Sequence, residues 1–289
     1  MLKVDFTNIA SETVGESNGI SKTDINDLGN QTEAAHKKLL EWRKSQDALF
    51  YDIVFDDLNL DDINKKAREI SNRFENVVVL GIGGSSLGLR STLQALLPPF
   101  WNLKDRMTRK NHPKLFVCDN VDPETFSGLL DLVEMKETCF IVISKSGKTT
   151  ETAAQFFVVR DRLKKILGNK WTEHLVIITD PKSGELRPLV EKEKIMSFAI
   201  PSKLGGRFSV LSHVGLFPAA CVGIDIKNLV EGARTMAKQC EADKFEDNVA
   251  YKIGAYHYYL DTKKKKSLSV MMPYSDALML MSDWYTQLW

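Results

Sequence analysis

The sequence predicts an α/β fold built on a doubly wound, parallel, five-stranded sheet. Short continuous apolar runs rich in β-branched residues are typical of strands that are buried on both faces. Stretches with helical periodicity separate these runs, and such an alternation is typical of parallel sheets. The five predicted strands lie at residues 77–83, 114–119, 139–144, 175–180 and 194–200.

The part of the chain before the sheet is predicted to be helical. Residues 32–49 (TEAAHKKLLEWRKSQDAL) have helical periodicity, and a second helix is predicted at residues 61–74. No motif here carries chemistry. We therefore expect residues 1–75 to form an N-terminal helical segment that packs on the α/β region.

Helices are predicted between the strands and again after the fifth one. They lie at residues 86–97, 123–135, 149–167, 184–192, 211–222, 226–242 and 247–260. Residues 261–266 (DTKKKK) are predicted to form a linker, because four consecutive lysines are typical of a solvated turn. We expect residues 76–260 to form a first α/β subdomain with trailing helices.

The last residues predict the beginning of a second, truncated α/β subdomain at residues 267–289. An apolar strand is predicted at residues 268–274, followed by an apolar helix that reaches residue 289. That helix has no Gly, Asn or Pro stop signal. We therefore expect the chain to begin a new strand–helix unit without supplying its next strand.

Composition excludes several functional classes. A formal net charge of +1 gives no reason to expect nucleic acid or an anionic membrane as a partner. There is no leader pattern and no apolar run long enough to span a bilayer, so we expect a soluble, cytoplasmic protein. The five histidines show no paired metal spacing, so no metal is expected. The four widely spaced cysteines are interpreted as reduced thiols: Cys118, Cys139, Cys221 and Cys240.

A glycine-rich turn follows the first predicted strand. Residues 81–88 (GIGGSSLG) open a helix, where glycines allow close approach of a ligand and free N–H groups favour an anion. Ser85 and Ser86 add hydroxyl donors. A dinucleotide-binding motif would have glycine at position 86 and an acidic residue about 20 residues later, and both are missing. Phosphate or sugar binding is therefore favoured over a dinucleotide or a purely structural turn.

A hydroxyl-rich turn follows the third predicted strand. Residues 144–152 (SKSGKTTET) place several hydroxyls and lysines at the start of a helix, which suits a phosphate monoester. The alternative is a cluster of capping residues, because Ser and Thr are favoured at helix starts. The spacing does not match a Walker A loop.

Two further stretches are less specific alone. Residues 205–212 (GGRFSVLS) place Arg207 after a tight turn, where it could stabilise an oxyanion or form a structural ion pair. Residues 272–276 (MPYSD) and 284–289 (WYTQLW) favour core packing of their aromatic side chains.

Together these stretches resemble the phosphoglucose isomerase family, whose subdomains have the sugar-isomerase (SIS), flavodoxin-like fold. The resemblance is carried by GIGGSSLG, SKSGKTTET, LGGRFSVLSHVGL and MPYSD with QLW, over roughly residues 76–289. It implies that two such subdomains face each other near a homodimer interface. It also implies reversible isomerisation of glucose 6-phosphate and fructose 6-phosphate through a cis-enediol, with no cofactor.

The resemblance also implies roles for individual residues. Arg207, beside Gly206, would stabilise the enediolate, and the remaining predicted site residues would bind the hexose phosphate: Gly84, Ser85, Ser144, Lys145, Ser146, Thr149 and Gln287. The family's catalytic glutamate would lie two positions beyond Trp289, and its histidine and late lysine would also lie beyond it. We therefore expect the chain alone to be inactive. A sugar-phosphate-binding module without catalysis and a dinucleotide-dependent dehydrogenase are the alternatives.

Overall fold

The computed structural model describes residues 2–289, except for the side chain of Glu33, and divides them into two compact units. We call the first the helical unit. It contains the residues up to Asp52 together with Glu231–Met271. The second, the sheet unit, contains Ile53–Val230 and Met272–Trp289. This division differs from the predicted segments, because residues 231–260 group with the N-terminal helices.

Helices and strands alternate through the middle of the chain as predicted. The α-helices are α1 (Ser11–Val14), α2 (Lys22–Lys44), α3 (Leu49–Asp52), α4 (Leu60–Arg73), α5 (Leu87–Leu96), α6 (Pro123–Leu132), α7 (Thr150–Leu167), α8 (Arg187–Glu193), α9 (His213–Cys221), α10 (Ile226–Gln239), α11 (Val249–Thr262) and α12 (Met279–Leu288). The strands are β1 (Asn76–Leu80), β2 (Lys114–Cys118), β3 (Thr138–Ile143), β4 (Leu175–Thr179) and β5 (Met196–Ala199).

The sheet is five-stranded and parallel throughout, in the order β2-β1-β3-β4-β5. Val78 of β1 pairs with Phe116 of β2 on one side and with Phe140 of β3 on the other. The chain therefore leaves β1 in one direction and returns to its other side with β3. This reversal is the switch point at which ligands of open α/β sheets bind, beyond the carboxyl ends of the strands. The predicted fold class is confirmed.

The core of the sheet unit explains the continuous apolar runs. Every residue of β1, β3 and β4 is buried, so both faces of these strands are covered. Phe140 and Val142 of β3 belong to one core cluster with Phe156 and Val159 of α7. Burying a large apolar side chain contributes about 1.5–3 kcal/mol. This packing fixes the start of α7 relative to β3, and the turn between them belongs to the candidate site.

The helical unit has an aromatic core of its own. Ser21 caps α2 through a capping box with Asp24, which satisfies amides at the start of that helix. Tyr256 of α11 packs edge-on against Phe245 and belongs to one cluster with Leu28 of α2. These contacts explain why α11, predicted to trail the first subdomain, groups with the N-terminal helices.

The prediction of a strand at residues 268–274 is wrong. This segment is irregular, and Leu268 and Val270 are 91% and 75% exposed. A strand needs a neighbouring backbone to pair its N–H and C=O groups. No strand of the described residues pairs with this segment, so its apolar composition does not produce a strand. The predicted helix after it is present as α12. Whether residues 267–289 begin a second subdomain stays a prediction.

Candidate functional site

A cavity of about 420 Å³ lies in the sheet unit, where the chain leaves β1, β3, β4 and β5. The loops that follow these four strands supply its walls, at the carboxyl edge of the sheet and next to the switch point. The lining residues are Ile82, Gly84, Ser85, Ser144, Lys145, Ser146, Thr149, Asp180, Ser183 and Gly206. Most of these side chains are small or carry a hydroxyl, which leaves backbone groups accessible to a ligand.

The glycine-rich turn after β1 lies directly against the turn after β5. A β-carbon at Gly84 would lie 2.2 Å from the backbone carbon of Gly206 and 2.5 Å from the backbone nitrogen of Arg207. Real β-carbons do not approach that closely, so only glycine fits here. Gly83 has a φ of +58°, a conformation that glycine adopts at little cost. These two glycines bring the cavity and the arginine-bearing turn together.

The turn after β3 forms the hydroxyl-rich wall. The buried hydroxyl of Ser144 accepts from the Gly147 amide at 3.1 Å, and the exposed hydroxyl of Ser146 accepts from the Lys148 amide at 3.1 Å. Thr149 precedes the 18-residue helix α7, yet its side chain makes no capping hydrogen bond. The first amides of a helix lack intrahelical acceptors, and the helix dipole favours an anion there. This wall therefore offers amides and hydroxyls to a negatively charged group.

Lys145 lies beside this wall, but its ammonium group faces the turn after β5. Its Nζ donates to the backbone carbonyl of Ser202 and lies 3.2 Å from the carbonyl oxygen of Leu204. The Lys145 carbonyl in turn accepts from the Asp180 amide at 3.2 Å. The residue thus connects the loops after β3, β4 and β5.

Asp180 is a cavity residue that the sequence-based prediction missed. Its Oδ1 accepts from the amides of Lys182 and Ser183, each at 2.9 Å, and its Oδ2 accepts from the Ser202 hydroxyl at 2.7 Å. The hydrogen bond from the Lys182 amide, followed by that from Ser202, holds the pKa of this carboxyl far below its ordinary value. Its position directly after a buried strand, at the carboxyl edge, was the available signal.

Arg207 and Gln287 lie next to the cavity and do not line it. The exposed guanidinium of Arg207 donates to the backbone carbonyl of Gln287 at 3.3 Å, and the indole N–H of Trp284 donates to the Arg207 carbonyl at 2.9 Å. Gln287 Nε2 would lie 3.1 Å from a β-carbon at Gly83. Its Oε1 is buried without a hydrogen-bond partner among the described residues. Helix α12 thus borders both turns.

The structure therefore brings seven of the nine predicted site residues to one cavity and places the other two at its border. The hydroxyl and amide donors of this arrangement suit an anion. Of the described residues that line the cavity, Asp180 alone carries a carboxylate, and its pKa is far too low for a general base near neutral pH.

Other reactive side chains lie away from the cavity. His213 donates through Nδ1 to the Ala199 carbonyl at 3.0 Å and stacks on Phe198. Burial lowers its pKa. Burial also raises the pKa of the Cys139 thiol to about 12, so this thiol stays protonated. Among the residues that the structure describes, no group of His, Cys, Asp or Glu could hold a metal ion. No described helix is long and apolar enough to cross a membrane.

Comparisons with known sequences agree on one family. The sequence model of the family described as phosphoglucose isomerase matches residues 65–289. A glucose-6-phosphate isomerase from Carboxydothermus hydrogenoformans is 40% identical over 288 residues, covering 99% of this chain and 61% of that protein. A glucose-6-phosphate isomerase from Methanocaldococcus jannaschii is 37% identical, covering 100% of this chain and 64% of that protein. The chain therefore spans about three fifths of the length of these relatives.

Solved structures show the same fold. A hypothetical protein from Thermus thermophilus matches with a TM-score of 0.80 and 33% identity, over 91% of this chain and 60% of that chain. A glucose-6-phosphate isomerase from Chlamydia trachomatis matches with a TM-score of 0.68 and 23% identity, over 79% of this chain and 42% of that chain.

Proposed function

This chain belongs to the phosphoglucose isomerase family. We therefore propose that it acts in glucose-6-phosphate isomerisation and supplies the pocket that binds the substrate phosphate. The reaction is the reversible conversion of glucose 6-phosphate into fructose 6-phosphate. A carboxylate base moves a proton between C2 and C1 through a cis-enediol. The substrate carbonyl makes the transferred proton acidic, so this chemistry calls for no redox cofactor.

The observation that supports the proposal most directly is the wall formed by the turn after β3. Ser144, Ser146 and Thr149 present hydroxyls at the start of α7, next to amides that have no intrahelical acceptor. A phosphate monoester carries three strong acceptor oxygens and about two negative charges near neutral pH. The negative charge and the acceptor oxygens of such a group suit the hydroxyl and amide donors of this wall.

The sugar end of the substrate would extend towards the glycine turn and Arg207. Gly84 and Gly206 lie in contact there, and Arg207 follows directly. A guanidinium is always charged, so Arg207 would contact a substrate oxygen in the bound state and contact it more strongly once that oxygen becomes an oxyanion during the reaction. Gln287 would contact the substrate from α12. The base is none of the described residues that line the cavity, because the hydrogen bonds to Asp180, the one carboxylate among them, hold its pKa far below neutrality.

Binding by this chain tests the proposal. We expect calorimetry to detect fructose 6-phosphate binding but no comparable binding of fructose, since the wall recognises the phosphate. Ser146→Ala should weaken fructose 6-phosphate binding about tenfold, the effect of losing a hydrogen bond to a charged group. Ser127 donates to the Glu124 carbonyl on the exposed side of α6, so Ser127→Ala is the matched control and should change nothing. Equal affinity for fructose and fructose 6-phosphate would contradict the proposal.

Catalysis separates the isomerase from a second candidate, a sugar-phosphate-binding module without activity. The absence of a usable base among the described cavity residues favours this second candidate for the chain on its own. Isomerisation is measured by coupling glucose 6-phosphate formation to NADP reduction by a dehydrogenase. Binding without turnover, both in this chain and in the complete protein, would favour the binding module.

We also propose a cytoplasmic location and a homodimer for the complete protein, both on the basis of the family resemblance.

A further inference from the structure

The charged group of Lys145 is directed at backbone carbonyls next to the cavity. Its ammonium donates to the Ser202 carbonyl and lies 3.2 Å from the Leu204 carbonyl oxygen. An ammonium has three donors, so two are directed at these carbonyls. Both carbonyls belong to residues 201–206, the segment that leads from β5 to Arg207, which we call the arginine loop. Lys145 therefore connects the phosphate-binding turn to the arginine loop.

A second connection runs parallel to the first. The Asp180 amide donates to the Lys145 carbonyl at 3.2 Å, and the Asp180 carboxylate accepts from the Ser202 hydroxyl at 2.7 Å. The Thr179 hydroxyl also donates to the Lys145 carbonyl, at 3.2 Å. The backbone of Lys145 is thus held by the end of β4, and its side chain extends from this fixed point to the arginine loop.

The position of the arginine loop matters because it is in close contact on its other side. A β-carbon at Gly84 would lie 2.2 Å from Gly206, so the two backbones already touch. Arg207 follows Gly206 directly, and the direction of its side chain depends on the backbone before it. The Lys145 ammonium binds the carbonyls of Ser202 and Leu204, so it restricts the backbone a few residues before Arg207.

We infer that Lys145 is a positioning residue, whose side chain holds the arginine loop, and through it Arg207, in place relative to the phosphate-binding turn. It is not a phosphate ligand through its ammonium group. The ligand used in the second experiment below depends on the proposed function. The contacts on which the inference depends do not.

The first experiment needs no ligand. The Leu204 amide donates to the Pro201 carbonyl and the Phe208 amide donates to the Gly205 carbonyl, each at 3.0 Å. Hydrogen exchange at these two amides therefore reports how well the loop is ordered. Lys145→Met keeps a side chain of similar length but removes the ammonium donors. We expect this substitution to accelerate exchange at both amides about tenfold. Lys145→Arg should largely restore protection. If the Met variant does not fold, Lys145→Gln, which keeps one donor group, is measured in its place.

Two results of that experiment would overturn the inference. Unchanged exchange in the Met variant would show that the ammonium does not hold the loop. Acceleration by the same factor at amides of β3 would show that Lys145 supports the whole fold instead of this loop.

The second experiment is a double-mutant cycle on fructose 6-phosphate affinity, which isolates the coupling between two residues. We expect Lys145→Met to weaken binding about tenfold in the native background and less than twofold when Arg207→Ala is already present. A direct phosphate ligand would have the same effect in both backgrounds, and that result would overturn the inference. If the native chain binds neither fructose 6-phosphate nor inorganic phosphate, the proposed function fails, and hydrogen exchange alone decides the role of Lys145.

Discussion

The hydrogen side chain of Gly84 allows the turn after β1 to lie against the turn after β5. We expect Gly84→Ala to destabilise the protein by at least about 2 kcal/mol, because the new methyl group would meet backbone atoms of Gly206 and Arg207 that cannot rotate away. Fructose 6-phosphate affinity should fall more than tenfold. Urea unfolding and calorimetry measure the two effects.

Gly128 provides the control for this prediction. It lies in the exposed part of α6, and a β-carbon there would meet no atom within 4 Å. Gly128→Ala should stabilise the protein by about 0.5–1 kcal/mol, since alanine is favoured over glycine inside a helix. Equal effects of the two substitutions would contradict the close contact at Gly84.

Asp180 should make stability depend on pH. Its pKa is lowered in the folded protein, so its contribution is present above the ordinary value of 3.8 and is lost as the pH falls from there through the folded pKa. We expect the native protein to be more stable than Asp180→Asn at pH 7. This difference should shrink below about pH 4, where the unfolded chain takes up the proton first.

The measurement is urea unfolding across that pH range, with an exposed aspartate as the control. Asp131 is 78% exposed and its ion pair with Arg162 spans 3.7 Å, so Asp131→Asn should change stability by less than about 0.5 kcal/mol. A native advantage over Asp180→Asn that grew towards low pH would contradict the predicted sign.

Individual site residues could be predicted to different degrees. Ser144, Ser146 and Thr149 were accessible to prediction, because hydroxyls clustered between a buried strand and a helix indicate an anion site. Asp180 was missed because an aspartate followed by proline is also typical of an ordinary turn. The direction of the Lys145 ammonium depends on carbonyls more than 50 residues away. No local pattern contains that information.

At the scale of elements, α12 is held against the rest of the sheet unit by specific contacts. The indole N–H of Trp284 donates to the Arg207 carbonyl at 2.9 Å, and the Leu280 amide donates to the Gln94 side chain at 2.7 Å. We expect Trp284→Phe to destabilise the protein by about 1 kcal/mol, the net contribution of a hydrogen bond, and to weaken fructose 6-phosphate binding. Trp289 is 73% exposed, so Trp289→Phe should have neither effect. Similar losses from both substitutions would count against a specific role of α12.

The sheet was predictable because its central strands are covered on both faces. Continuous apolar runs such as those of β1 and β3 predict buried strands, because an amphipathic helix has polar residues at regular intervals. The same criterion failed at residues 268–274, because an apolar run becomes a strand only where another backbone pairs with it. The grouping of α11 with α2 was also unpredictable, since contacts around Tyr256 join segments far apart in the chain.

At the scale of the whole molecule, charge is nearly balanced, so the proposed phosphate recognition would depend on the local arrangement of donors. The formal net charge is +1, which gives little long-range attraction for an anion. No histidine occurs among the described residues that line the cavity, and the pKa of Asp180 lies far below neutrality. The ligand itself is therefore the group expected to titrate between about pH 5 and pH 8.

The titration of the ligand predicts how binding depends on pH. A phosphate monoester takes its second negative charge near pH 6, and the wall at the start of α7 favours the more negative form. We expect fructose 6-phosphate affinity to rise about tenfold between pH 5 and pH 7 and to stay constant up to pH 8. Inorganic sulfate is fully ionised throughout this range, so its binding should not change. If sulfate binding changed with pH in the same way, a group of the protein would be titrating. The cavity would then have to include a residue that is protonated near pH 6, which contradicts the prediction.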